Sequence, residues 1–181
     1  MRMHLLLWDV EYSLNIGLAI RDCYVLGDGI VDLMLFDPRG VAASKAEEVR
    51  RYSSYTMDHF QSFNTITDKE RAMSWLETKR GNIIATVPDK DGAEDIMTFD
   101  FADGCVVMFG NEFHGLPTDI MDLADSKAVI PMRGKAYPRP DSTGKIVGIG
   151  KQRCLGLSAC VPIVLFHALN KMGVYHGWNG T

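Results

Sequence analysis

The sequence lacks the features that mark membrane, exported and metal-binding proteins. It has no run of about 18 or more apolar residues, so no membrane helix is expected. Met1–Val10 has no charged start followed by a long apolar segment and a small-residue cleavage site, which predicts a cytoplasmic protein. The four cysteines form no C-x-x-C pair and the five histidines are scattered. We therefore expect reduced thiols, no disulfide framework and no metal.

The common nucleotide-binding signatures are also missing. Glu11–Gly17, which follows the first apolar run, lacks the glycine spacing that cradles a pyrophosphate. Gly148–Gly150 does not complete a dinucleotide fingerprint either. Lys145 follows Gly144 but precedes Ile146, where a phosphate-binding loop has serine or threonine. These absences disfavour NAD and ATP chemistry.

What is present fits one globular domain. The chain has 181 residues, of which 46% are hydrophobic and 23% charged. A chain of this length buries about 70% of its unfolded surface and supports one core. We therefore predict a single domain over residues 1–181.

Short apolar runs alternate with helical patterns. The predicted strands are Leu5–Val10, Ile30–Phe36, Asn82–Thr86, Cys105–Phe109 and Ala128–Pro131. The predicted helices are Leu14–Leu26 closed by a left-handed cap at Gly27, Ala42–Arg51, one from a capping box at Thr67 and Glu70 to Lys79, Pro117–Ala124, and Ser158–Met172. This alternation predicts an α/β fold with a mostly parallel sheet flanked by helices.

The first and last predicted helices have no clean polar face. The last is apolar nearly all round, and the first has apolar residues on both sides, with Ile16, Ala19, Ile20 and Cys23 on one and Leu18 and Val25 on the other. Such helices lie at the centre of a protein or bury a second face against another chain. In a domain of this size the pattern favours a homodimer.

Charge is concentrated in one segment. The net charge is −4, yet Arg133–Arg153 contains six basic residues and the single acid Asp141, a local charge of +5. We interpret 134–153 as a basic loop insertion that contacts RNA phosphates, or alternatively as a solvated loop. Tyr137 in it is a candidate for stacking on an unpaired base. The candidate RNA-binding residues are Arg133, Lys135, Arg139, Lys145, Lys151 and Arg153.

Three separated stretches carry a family resemblance. The first is Asn15–Arg21 with Gly27 behind it. The second is Val107–Pro117, continuing to Ile130–Gly134, and the third is Leu155–Ser158. In this order they resemble the motifs of SpoU-type RNA methyltransferases of the SPOUT superfamily, and the second motif is the most specific. The short chain looks most like the minimal tRNA-modifying members of the TrmL type.

The resemblance implies a structure and an activity. It implies a C-terminal deep trefoil knot, an S-adenosylmethionine donor bound there, and an active site shared across a homodimer that methylates the ribose 2'-hydroxyl of tRNA or rRNA. Arg21 and Asn15 would organise the hydroxyl and phosphate, and Glu112 would orient the site, with Ser158 also in the catalytic set. The donor would contact Thr86, Gly110, Asn111, Glu112, Ile130, Met132, Leu155 and Ser158.

The residues are compatible with these roles, although plainer interpretations stay open. Gly110 allows close approach of a ligand, and Ile130–Met132 offers apolar surface, but these segments would also suit an ordinary turn and a buried strand. Arg21 would clamp a phosphate and stabilise charge on the attacking oxygen, or lie on the surface with its aliphatic part over apolar neighbours. The chemistry is an in-line displacement on a sulfonium, which needs alignment but no metal.

The third motif departs from the family pattern. Many relatives carry Ser-Leu-Asn-x-Ser, whereas this chain has Cys154, Leu155, Gly156, Leu157 and Ser158. Two polar side chains are therefore absent, and Gly156 offers only backbone. The alternative hypothesis is a catalytically impaired SpoU-like protein that binds RNA without turnover.

Overall fold

The structure is a computed structural model that describes residues 1–88, 92–132, 138–140, 143, 145–149 and 155–177. Its strands are β1 Met3–Trp8, β2 Val31–Phe36, β3 Phe63–Ile66, β4 Ile83–Val87, β5 Glu94–Asp95, β6 Val106–Phe109, β7 Ser126–Val129, β8 Pro138–Pro140 and β9 Ile146–Ile149. The α-helices are α1 Ser13–Gly27, α2 Val41–Ser44, α3 Ala46–Tyr52, α4 Lys69–Glu77, α5 Thr118–Met121 and α6 Leu157–Lys171, with a short 3₁₀ helix at Thr56–Asp58.

Seven strands form one sheet in the order β3-β2-β1-β6-β4-β7-β5, and every pairing in it is parallel. The central strands β1 and β6 are buried on both faces, which explains why their sequences are nearly continuous apolar runs. Successive side chains of β1 show the division: Leu5 and Leu7 pack with α1 and α6 on one face, whereas Leu6 packs with α4 and α5 on the other. The core is therefore two apolar layers separated by the sheet.

The predicted fold class is confirmed, and each predicted strand and helix corresponds to an observed element. β3 and β5 were not predicted, because β3 is only partly buried and β5 has two residues, both acidic. The predicted loop 134–153 contains the antiparallel pair β8-β9. The predicted helix Ala42–Arg51 is divided into α2 and α3 at Lys45.

Two predicted caps are wrong. Gly27 is the last residue of α1, and the left-handed glycine is Gly29, with φ of 75°. Gly27 is instead required for packing, since a Cβ there would collide with the side chain of Val31. Helix α4 is capped by Asp68, whose carboxylate accepts a hydrogen bond from the Arg71 amide at 2.8 Å, and not by Thr67.

The predicted helix after Pro117 is also shorter than expected, since α5 ends at Met121. In the part of the chain that the structure describes, no helix is long and apolar enough to cross a membrane. The path from Met132 to Leu155 includes residues outside the described ones, so the trefoil knot stays a prediction.

Candidate functional site

A cavity of about 570 Å³ opens where β1, β6, β4 and β7 end. Its walls come from the loops that follow these strands and from the first turns of α6. The carboxyl ends of parallel strands are where open α/β sheets bind ligands, and the volume is in the range of small-molecule sites. We therefore treat this cavity as the candidate site.

The loop after β6 forms one wall and is tightly closed. The Asn111 amide donates to the Gly115 carbonyl at 3.1 Å, and the Gly115 amide donates back to the Asn111 carbonyl at 2.9 Å. Gly115 has φ of 69°, a conformation that favours glycine. At the loop entrance, a Cβ on Gly110 would overlap backbone atoms of Gly115 and Leu116. Only glycine fits at position 110 without moving the loop.

Asn111 joins this loop to the turn after β1. Its buried side-chain amide donates to the Asp9 carbonyl at 2.7 Å and to the Glu11 carboxylate at 3.0 Å. Its side-chain oxygen accepts from the amides of Phe113 and His114 at 2.8 and 3.1 Å. Asn111 therefore uses both ends of its side chain to fix the wall of the cavity.

Glu112 is paired with the start of α1. Its carboxylate accepts a hydrogen bond from the Asn15 side-chain amide at 2.6 Å and another from the Glu11 backbone amide at 3.1 Å. These bonds connect the first and second motifs, which lie almost a hundred residues apart in the chain. The carboxylate is thereby held in a defined orientation at the cavity.

Arg39, which follows β2, supports the same turn from outside. Asp9 is one of the non-glycine residues with positive φ, at 53°. The Arg39 guanidinium donates to the Asp9 carboxylate at 3.0 Å and to its carbonyl at 2.9 Å, and lies 3.3 Å from the Glu11 carboxylate. The hydrogen bond from Asn111, together with the charge of Arg39, lowers the pKa of Glu11. The strained turn is thus held by a charged network.

Most predicted donor residues lie together. Seven of the eight line the cavity, and Asn15 of the predicted catalytic set lines it too. The eighth, Ser158, is half-buried in the first turn of α6 and is not among the residues that line the cavity. The seven are Thr86, Gly110, Asn111, Glu112, Ile130, Met132 and Leu155. Their roles in binding stay predictions.

Arg21 is not part of the cavity wall of its own chain. It is an exposed residue of α1, beyond Asn15 on the same helix. Asp22 beside it is half-buried, and desolvation raises the pKa of its carboxyl group to about 6.

The structure describes only part of the predicted RNA-binding segment. Arg133, Lys135, Lys151 and Arg153 lie outside the described residues, as does Tyr137. Arg139 lies in β8 and Lys145 is exposed just before β9. Both flanks of the segment, Met132 and Leu155, line the cavity. The described residues at the two ends of the basic segment therefore lie at the candidate site.

Several cavity residues were not among the candidate site residues predicted from the sequence. Tyr12 and Phe113 lie on the cavity wall, as do Gly156, Leu157 and Cys160. Tyr12 lies three residues before the first motif and Phe113 lies within the second, and a bulky aromatic residue in a turn is the signal that would have indicated them. Arg39 lies outside the three motifs and gave no comparable signal.

Comparisons with known proteins agree with this architecture. The model of the family described as the SpoU rRNA Methylase family matches residues 2–137. The chain belongs to this family. The match covers the first two motifs and most of the cavity wall, but ends before the third motif.

Two individual relatives share about a quarter of the aligned residues with this chain. The tRNA (cytidine(34)-2'-O)-methyltransferase of Escherichia coli strain K12 is 27% identical over 173 residues, which cover 94% of each chain. The 23S rRNA (uridine(2479)-2'-O)-methyltransferase of Streptomyces viridochromogenes is 26% identical over 82% of this chain and 52% of its own length.

A solved structure from the same Streptomyces species, the SpoU methyltransferase AviRb in complex with AdoMet, superimposes with a TM-score of 0.70 at 21% identity. The alignment covers 96% of this chain and 61% of AviRb. At that identity the likeness establishes the fold alone.

Proposed function

We propose that this protein transfers a methyl group from S-adenosylmethionine to a ribose 2'-hydroxyl of tRNA or rRNA. The observation that carries the proposal is one cavity whose wall joins residues of all three motifs, with the Asn15–Glu112 pair at its side. Membership of the SpoU rRNA Methylase family supports the reaction class. The named relatives are 2'-O-methyltransferases of tRNA and of rRNA.

The cavity residues fit this donor. Ile130, Met132 and Leu155 supply apolar surface against which an adenine ring would pack. The glycine at position 110 leaves the backbone of the loop open to close approach. When bound, the donor supplies an electrophilic methyl group on a sulfonium. The protein's part is to exclude water and to align the acceptor oxygen with that methyl group.

Asn15, Glu112 and Arg21 act on the acceptor side. The hydrogen bonds of Glu112 fix the Asn15 side chain at the cavity, where it orients the ribose. Arg21 binds a phosphate of the RNA and stabilises negative charge on the attacking oxygen. Because Arg21 is absent from the cavity wall of its own chain, we propose that it serves the cavity of a second copy.

A homodimer would use the apolar faces of α1 and α6. These helices pack against each other, and both leave large apolar side chains exposed. On α1, Val25 is 65% exposed, and on α6, Phe166 is 52% exposed. Ile163 lies near Phe166 on α6 and is 42% exposed. Burial of these side chains against their equivalents in a second copy would provide the driving force for association.

The basic segment 134–153 binds phosphates of the RNA, since it adjoins the cavity at Met132 and Leu155. Knotting of the chain around this region would hold the donor between the second and third motifs. The cytoplasm, which contains tRNA and rRNA, is the proposed location.

Incubation with labelled S-adenosylmethionine and unfractionated tRNA or rRNA tests the reaction. We expect methyl incorporation that is lost in Arg21→Ala, whereas donor binding measured by calorimetry is retained. RNA binding without any incorporation would instead support the catalytically impaired alternative. Failure to bind the donor at all would refute the proposal.

A mixed-dimer experiment tests whether Arg21 acts across the interface. Arg21→Ala and Gly110→Ala are each expected to be inactive, the first for want of the guanidinium and the second for want of a formed cavity. A mixed dimer would contain one site with an intact cavity and an intact Arg21 from the other chain. We therefore expect activity to return on mixing, and no recovery would show that Arg21 serves its own chain.

A further inference from the structure

Two aromatic side chains lie exposed at the opening of the cavity. Tyr12 is 50% exposed and Phe113 is 61% exposed, although both line the cavity wall. Their ring centroids are 5.9 Å apart and the ring planes are inclined by 55°. The exposure of these two residues identifies the rim of the cavity.

The exposure of Phe113 is not the result of a loose loop. Its backbone amide donates to the side chain of Asn111, which is itself buried. The loop is closed further by the paired hydrogen bonds between Asn111 and Gly115. These hydrogen bonds fix the backbone position from which the exposed Phe113 ring extends.

Tyr12 is fixed in a similar way. It immediately precedes α1, and its carbonyl accepts hydrogen bonds from the amides of Asn15 and Ile16 at 3.0 and 3.2 Å. The two rings thus extend from the two turns that hold Asn15 and Glu112. A molecule that contacts both rings is necessarily beside the proposed acceptor site.

We propose that Tyr12 and Phe113 form a stacking platform for an unpaired nucleobase of the RNA substrate, an inference that rests on the proposed function. Proteins that read single-stranded RNA stack its bases on aromatic side chains. A ribose that presents its 2'-oxygen to a donor in the cavity carries its base at the rim. The exposed rings of Tyr12 and Phe113 lie at that rim.

The ring geometry defines how the base binds. Rings whose centroids are 5.9 Å apart and whose planes are inclined by 55° contact each other and leave no parallel gap for a base. The base stacks on the exposed face of one ring instead, because rings inclined by 55° share no common face. Stacking depends little on base identity, so the platform selects unpaired over paired nucleotides rather than one base over another.

Binding constants for unfractionated tRNA and for a fully paired RNA duplex test the platform. Phe113→Ala and Phe113→Leu are expected to weaken tRNA binding by about 5- to 100-fold, because both remove the aromatic ring. Phe113→Tyr retains a ring and should stay near the wild-type value. Duplex binding should not change. Tyr55→Ala is the control, since Tyr55 is also 50% exposed but lies away from the cavity.

The leucine variant separates stacking from general apolar contact. If Phe113→Leu binds tRNA as well as the wild type does, the platform is refuted. It is also refuted if Phe113→Ala changes the sedimentation mass, since the ring would then contact a second copy. If Phe113→Leu methylates tRNA with the same KM as the wild type, the platform is refuted but the proposed function is not. A wild-type protein that binds neither donor nor tRNA would refute the proposed function as well.

Discussion

Replacement of Asn111 by alanine should loosen the cavity wall and destabilise the whole fold. The side chain makes four hydrogen bonds, two donated to the turn after β1 and two accepted from its own loop. A typical hydrogen bond contributes a net 0.5 to 1.5 kcal/mol, and the amides of the loop would regain some hydration. We expect Asn111→Ala to lower the free energy of unfolding by about 2 to 4 kcal/mol.

Urea unfolding at one fixed protein concentration measures this loss, because association would make stability depend on concentration. Asn82→Ala is the matched control: the Asn82 side chain makes one surface hydrogen bond, to the Asp103 carbonyl at 3.1 Å. The control should lose about 1 kcal/mol or less. Equal losses in the two variants would refute the assignment of Asn111 as the residue that joins the two motifs.

Three further predictions concern the same region and α1. Gly110→Ala should abolish donor binding, because its Cβ would overlap backbone atoms of the loop. Gly156→Ala is the control and should fold normally, because a Cβ at position 156 meets nothing closer than 4.0 Å. Calorimetry measures donor binding in both variants, and thermal melts measure their folding. Burial raises the pKa of Asp22 to about 6. The folded protein therefore becomes less stable as the pH rises from the usual carboxyl range to above 6, because the half-buried carboxyl group must then ionise. Asp22→Asn should therefore be more stable than wild type by about 1 kcal/mol at about pH 8, but not at about pH 4, by urea titration. The pKa of Glu11 is lowered, so its ionised form stabilises the fold and this contribution is lost as the pH falls. The difference in free energy of unfolding between wild type and Arg39→Ala should therefore become smaller as the pH is lowered from about 7 to about 3.

The central strands of the sheet could be predicted from the sequence because they are buried on both faces. Apolar runs such as Leu5–Val10 and Cys105–Phe109 leave few alternatives to a central strand. Helix ends were less predictable, since Thr67 and Asp68 are both good caps and only the chain path selects between them. The edge strand β3 carries too little buried surface to give an apolar signal.

The site was predictable to the extent that its residues belong to motifs. The resemblance indicated Asn15, Glu112 and the donor residues, but no local pattern reveals that the side chains of Asn15 and Glu112 lie 2.6 Å apart. Arg39 was missed because its contacts with Asp9 depend on the adjacency of β1 and β2, which is a tertiary property. Ser158 was assigned to the donor by its motif, whereas the helix directs other residues into the cavity.

Nucleoside mass spectrometry of tRNA and rRNA after incubation with the protein and isotope-labelled S-adenosylmethionine tests the proposed reaction most directly. We predict that the label appears in a 2'-O-methylated nucleoside and disappears with Arg21→Ala. A label on a base, or RNA that stays unlabelled although the donor is bound, would contradict the assignment of this cavity to ribose methylation.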